Sequence, residues 1–194
     1  MSIPAATKNA MLSALAVDKV SLHTGFPGSI GSNEVAGGSY AQQTVTFSSP
    51  AGGVKAMTSA VTFSGLPICT IRWVGFWAGT TFIACAPNGG AVPKNFIAVP
   101  SSDLLYSASH GFADGQKVVL FSGTPPGGLT EGQVYFVRDS LTDSFKLAAT
   151  LGGEAVNLTS AASAGCWLSA ITEDVYGVAG ASHQLSAASL VVPD

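Results

Sequence analysis

Charge is what this sequence has least of. Only 10% of its 194 residues are Asp, Glu, Lys or Arg, against about 25% in an ordinary soluble domain. The eight cations are scattered, with no basic run or stripe, and the net charge is −3. Nucleic-acid binding needs clustered Lys and Arg to neutralise phosphates, so the composition argues against that partner. Long apolar runs are missing as well. No stretch approaches the roughly 18 consecutive apolar residues of a membrane span. The first residues lack the basic start and apolar centre of a secretory signal, and a protein made in a cytoplasm is expected. Cysteine is scarce: Cys69, Cys85 and Cys166 are an odd set with no CxxC. A metal site would want paired Cys or His at short spacing, so the three read as small buried hydrophobes.

Signatures of catalysis are also absent. There is no GxSxG elbow and no GxGxxG or GxxxxGK[ST] phosphate loop. The 11 acids fall mostly in turns, among them Glu34, Asp103, Asp114, Glu131, Asp139, Asp143 and Glu154. Only Glu173 and Asp174 are adjacent. A glycosidase needs two carboxylates across a sugar. A pair distant in sequence stays open, but solvated turn carboxylates are the better reading. His23, His110 and His183 are far apart. They either converge on a metal or each satisfy a local hydrogen bond at a strand end, and the second fits their spacing better. His23 is expected to tie the loop that follows it to backbone carbonyls, and His110 to do the same in its own turn. Trp73, Trp77 and Trp167 either form a sugar-binding platform or pack in the core, and Trp73 and Trp77 sit in the best core strand. No cofactor, metal or enzyme activity is expected.

What is present is glycine, 23 residues of it, in a chain that is 47% hydrophobic. Turn-like Gly and Pro clusters between short apolar runs point to an all-β protein. A surface this poor in charge favours association, and much of it is expected to lie against other subunits. One helix is predicted over 4–17, with Pro4 in its first turn, Ser2 as its cap, and Met11, Leu12, Leu15 and Ala16 on its packed face. Strands are predicted over 17–24, 43–48, 60–64 and 80–85. The strongest runs over 68–78, with Cys69, Ile71, Trp73, Gly75 and Trp77 on one face and Thr70, Arg72, Val74 and Phe76 on the other. From Pro87-Asn88-Gly89-Gly90 the texture changes, and strands are predicted at 118–121, 134–138 and 144–148. The first texture returns in 175–194.

Between the strands at 17–24 and 43–48 lies an unusually long loop rich in glycine. Loops of this length are uncommon in compact domains and are usually functional or disordered. The stretch Leu22-His23-Thr24-Gly25-Phe26-Pro27-Gly28, followed by Asn33-Glu34-Val35-Ala36-Gly37-Gly38-Ser39-Tyr40-Ala41-Gln42, resembles an element of tailed-bacteriophage virion proteins. In that element LHTGDPG is followed by NEVxGGSYARQ and then a strand; Phe26 stands where the family usually has Asp. A second resemblance starts at Ser109-His110-Gly111-Phe112-Ala113-Asp114-Gly115 and runs on through Gly128-Leu129, Tyr135, Phe145, Gly152-Gly153 and Thr159. It is similar to the HGLxxGDxV modules of phage tail and fibre proteins.

The resemblances imply a β-sandwich with a short N-terminal helix, formed by 1–94 and 172–194, with a small all-β module inserted at 95–171. They imply a structural component of a tailed-phage virion, assembled in the host cytoplasm, most readily a tail- or fibre-associated protein. Its partners would be tail or capsid subunits, other copies of itself, and a host-surface receptor if the module faces outward. His23, Pro27, Gly28, Asn33, Glu34, Gly37, Gly38 and Tyr40 would form an assembly loop at a subunit interface. The alternatives are a capsid decoration protein and a receptor- or saccharide-binding module, for which Tyr135 and Trp167 would be the exposed aromatics.

Overall fold

The computed structural model describes residues 3–90, 92–163 and 165–192. Helix α1 (Ala5–Ala14) is followed by β1 (Lys19–His23), β2 (Gln43–Thr44), β3 (Val54–Ala56), β4 (Val61–Leu66), β5 (Cys69–Ile71), β6 (Trp73–Ala78) and β7 (Thr81–Pro87). Then come β8 (Lys94–Asn95), β9 (Ile97–Val99), β10 (Leu104–Tyr106), β11 (Lys117–Phe121), β12 (Val134–Arg138), β13 (Ser144–Ala148) and β14 (Trp167–Ala170). The chain ends through β15 (Asp174–Tyr176), β16 (Ala181–Leu185) and β17 (Ser189–Val191). The protein is all-β, with several antiparallel sheets and one short N-terminal helix. It divides into two compact units, Met1–Ala86 with Asp174–Asp194, and Pro87–Glu173.

The first unit has a four-stranded sheet in the order β2-β1-β6-β7. β1 is paired with β6 from Lys19 opposite Trp77 to His23 opposite Trp73. Three further ladders, β3–β17, β4–β16 and β5–β15, keep nearly one register, so 54–71 and 174–191 run antiparallel along their whole length as one interrupted ribbon. In the middle of it Ser64 and Gly65 together face Ser182, a bulge with Gly65 at φ 67°; a strand predicted to stop before Gly65 therefore runs through it to Leu66. Inward residues of the ribbon (Phe63, Leu66, Ile71, Leu185, Leu190) and of the sheet (Val20, Leu22, Val74, Phe76) share one apolar core.

Two expectations need correction here. The run 68–78 is not a single strand. It divides at Arg72, whose N–H donates to the His23 carbonyl and whose Nη1 donates to the Thr24 carbonyl. Alternation is lost at that break, so Ile71 enters the same core as Val74 and Phe76 rather than the side of Trp73. The helix also differs. It ends at Ala14 with Pro4 outside it as N-cap, and its buried residues are Lys8 and Leu12, one turn apart, while Met11 is 49% exposed. The cause is its docking site. Asn9 Oδ1 accepts the Gly53 N–H at 2.9 Å, the Lys8 stem lies over Gly53, and Lys55 Nζ donates to the Leu12 and Leu15 carbonyls. That ammonium caps the helix end, joining the Leu15 N–H on the Leu12 carbonyl and pairing the Leu15 carbonyl. Ser2 lies outside the described residues.

The second unit is a seven-stranded sheet in the order β8-β14-β11-β12-β13-β10-β9. Its own core gathers Leu105, Phe112, Val118, Leu120, Phe145, Leu147 and Leu168. Its two chain ends are held together, because the Thr172 N–H donates to the Asn88 carbonyl at 2.7 Å and Asn88 Nδ2 donates to the Thr172 carbonyl.

Candidate functional site

The loop joining β1 to β2 folds back on β1. The Thr24 N–H donates to the Asn33 carbonyl, the Ser32 N–H to Pro27 and the Val35 N–H to Leu22, and Glu34 forms an antiparallel bridge with His23. Asn33 takes the left-handed conformation (φ 61°) that Asn tolerates best after Gly. Its Nδ2 donates to the Phe26 carbonyl at 2.8 Å. Phe26 is turned into the protein, its ring 5.0 Å from that of Trp73, and Pro27 behind it is buried.

His23 is fully buried, and both its ring nitrogens are engaged. Trp77 Nε1 can only donate, and it donates to Ser21 Oγ at 2.7 Å. The Ser21 hydroxyl proton is then left for His23 Nε2, 2.7 Å away. Nδ1 must carry the ring proton and donates to the Ser32 carbonyl at 2.7 Å. The imidazole is thus assigned as the neutral Nδ1–H tautomer. Burial pushes its pKa below the ordinary 6.5, against the smaller opposing effects of the Ser32 carbonyl and Glu34. A methyl on Gly75 would come within 2.4 Å of Ser21 Oγ and 2.5 Å of His23 Nε2, so this position requires glycine.

Glu34 holds the second half of the loop. Its Oε1 accepts from the Tyr40 hydroxyl at 3.0 Å and its Oε2 from Gln42 Nε2 at 3.1 Å. The Tyr40 oxygen in turn accepts the Leu22 N–H at 2.9 Å. Burial raises the Tyr40 pKa well above its ordinary value. Gly38 (φ 61°) passes so close to the Gly65 carbonyl that a methyl there would lie 2.2 Å from it, and the Ser39 N–H donates to that same carbonyl. Gly28 and Gly37 also have positive φ and lie at the outside of the loop. The structure therefore brings His23, Asn33, Glu34 and Tyr40 together as the loop's frame. Ser29, Ile30 and Ala36 to Ser39 are exposed.

Elsewhere the turn acids, of which Asp114, Glu131 and Asp143 are exposed as expected, also accept backbone hydrogen bonds. Asp103 accepts the Leu158 N–H, Asp114 that of Ser140, Glu131 that of Ser122 and Asp143 that of Ser109. Each carboxylate pins another turn of the second unit, from 9 residues away for Glu131 to 55 for Asp103, a pairing that composition does not reveal. His110 Nε2 donates to the Leu141 carbonyl and its Nδ1 accepts the Phe112 N–H. Tyr135, considered as an exposed aromatic, is only 5% exposed and its hydroxyl accepts the Thr130 N–H; strand alternation turns it into the core. Trp167 is half-buried on β14. Asp114, Arg138, Asp139 and Leu151 line a shallow cavity of about 360 Å³, but Arg138 is engaged with Asp139 and the Gly153 carbonyl. Among the described residues, no group of three or more His, Cys, Asp or Glu is placed to hold a metal ion.

A cluster that sequence reasoning missed lies on the ribbon. His183 is buried, with Nδ1 2.8 Å from the Tyr176 hydroxyl and 3.7 Å from Asp174 Oδ2. Burial lowers its pKa, with Asp174 opposing. Asp174 and Tyr176 lie on β15 and His183 on β16, and nothing in the local sequence signals that they meet. Comparison with protein-family models, curated proteins and solved structures finds no match.

Proposed function

We propose that this chain is a structural component of a tailed-bacteriophage particle, tail- or fibre-associated, which works through subunit contacts rather than chemistry. One observation carries the reading. The residues that make the loop resemble the virion element are the residues that frame it: His23, Asn33, Glu34, Gly38, Tyr40 and Gln42. Their polar side-chain atoms are engaged in hydrogen bonds within the loop and to β1, so the motif builds a shaped, uncharged surface from Ser29, Ile30 and 36–39 instead of an active site. In this reading the first unit is a β-sandwich, its four-stranded sheet facing the ribbon across their shared core. The second unit is a small module inserted into it, serving as a spacer or a host-contact surface, and the assembly loop lies at a subunit interface in the virion.

The test is copy number in purified particles, from quantitative protein staining against the major capsid protein. A tail or fibre component is present in few copies. Amounts near those of the capsid protein would overturn the tail placement in favour of a capsid decoration protein, and absence from particles would overturn the whole reading.

A further inference from the structure

The outward face of the 54–71/174–191 ribbon has a pattern that its inward face does not require. At one end Val54 lies directly opposite Val191, 38% and 55% exposed. At the other end Ile68 and Val175 are 70% and 73% exposed, with Val175 opposite Thr70. Thr62 opposite Gln184 makes the polar middle. The charged side chains of the ribbon are turned away from this face. Lys55 reaches the carbonyls at the helix end, and Asp174 lies on the side of His183. The sequence from Val175 to Val192 contains no Asp, Glu, Lys or Arg at all. Exposed strands in monomers are commonly protected by charge, lysine above all, and this one is not.

We propose that this face is the contact between two copies of the chain, related by a twofold axis through its middle. The order apolar, polar, apolar reads the same from either end. A twofold therefore lays Val54 and Val191 of one copy on Ile68 and Val175 of the other, and sets the Thr62/Gln184 pair against its own equivalent. No like charges meet. This is the self-complementarity that an isologous contact demands. The contour of the ribbon is about 60 Å and its width about 10 Å. Each copy would then bury on the order of 600 Å², close to the roughly 800 Å² per partner of a stable interface. The contact is a property of the isolated chain and does not depend on the particle reading, so the two fail separately.

Sedimentation of the full chain over a range of concentrations tests this. A monomer–dimer equilibrium is expected, and Val175→Lys combined with Val191→Lys should weaken it by about a hundredfold or more, because desolvated lysines then face apolar groups and each other. Leu151→Lys and Leu141→Lys, at exposed apolar positions of the second unit, should leave it unchanged, with circular dichroism confirming the fold of every variant. A chain that stays monomeric, or a dimer that the ribbon substitutions do not move, overturns the proposal. If the double variant fails to fold, Ser182→Cys serves instead. It lies beside the axis, so a thiol crosslinker spanning the ~10 Å between stacked sheets should capture the dimer above the level given by the native cysteines, and no increase would count against the contact.

Discussion

Histidine 23 has no free lone pair to offer. Nε2 accepts from Ser21 and Nδ1–H donates to Ser32, so protonation would place a second proton against a hydroxyl already accepting from Trp77. Burial lowers the pKa of His23, and that of His183, where Asp174 partly opposes it. The sign follows from linkage. Both groups titrate lower in the folded than in the unfolded chain, so their contribution is complete above the unfolded value of 6.5 and is lost as pH falls below it towards the folded values. Glu34 and Asp174 are the carboxylates that face the two rings, and their charge opposes the effect of burial without reversing it. Unfolding followed by Trp73 and Trp77 fluorescence in a Trp167→Phe background should show the first unit less stable at pH 5 than at pH 8. An unchanged midpoint would contradict the assigned neutral state. At this scale much was legible: the tethering of the loop by His23 to a backbone carbonyl follows from a histidine at a strand end before a glycine-rich loop. The role of Glu34 was not, because its partners Tyr40 and Gln42 face it only after the loop has turned back.

Strands were legible where alternation and turn residues agreed. β12 and β13 occupy the predicted 134–138 and 144–148, each closed by turn-forming residues. The run 68–78 misled because both of its halves are apolar, and the backbone break at Arg72 is imposed by the His23 and Thr24 carbonyls, which no local pattern encodes. The return strand 174–191 was hardest to place, since its partner lies more than a hundred residues away in sequence. Its register nevertheless makes a sharp prediction. A one-residue slip would exchange the two faces of β16, so neighbouring residues should respond very differently. Leu185 packs in the core and Gln184 is exposed. Leu185→Ala should cost about 2–4 kcal/mol, and Gln184→Ala should stay within about 0.5 kcal/mol, both read from the denaturant midpoint of the first unit. Equal costs would mean that the pairing of β4 with β16 is wrong.

At the scale of the whole molecule, the two units differ in how their chains close. The first is built from both ends of the sequence, and its ribbon is complete only when 174–191 returns to 54–71. The second is continuous in sequence. It has its own core and a seven-stranded sheet, and its ends are already joined by the two Asn88–Thr172 hydrogen bonds. Its carboxylates tie turns within the unit, as Asp103 does to Leu158 and Asp143 to Ser109. Nothing in that set of contacts calls on the rest of the chain, and a segment of this size lies within the range of independently folding domains. Residues 87–173 expressed alone should therefore fold, with one cooperative denaturant transition and a dispersed amide spectrum. The reciprocal deletion follows from the same hydrogen bonds. Because Asn88 and Thr172 touch, a short Gly-Ser linker in place of 87–173 spans the gap, and 1–86 joined in this way to 174–194 should retain the β16–β4 pairing, detectable as slow amide exchange at Phe63 and His183. An isolated 87–173 without a cooperative transition would mean that the second unit draws its stability from contacts beyond its own sequence.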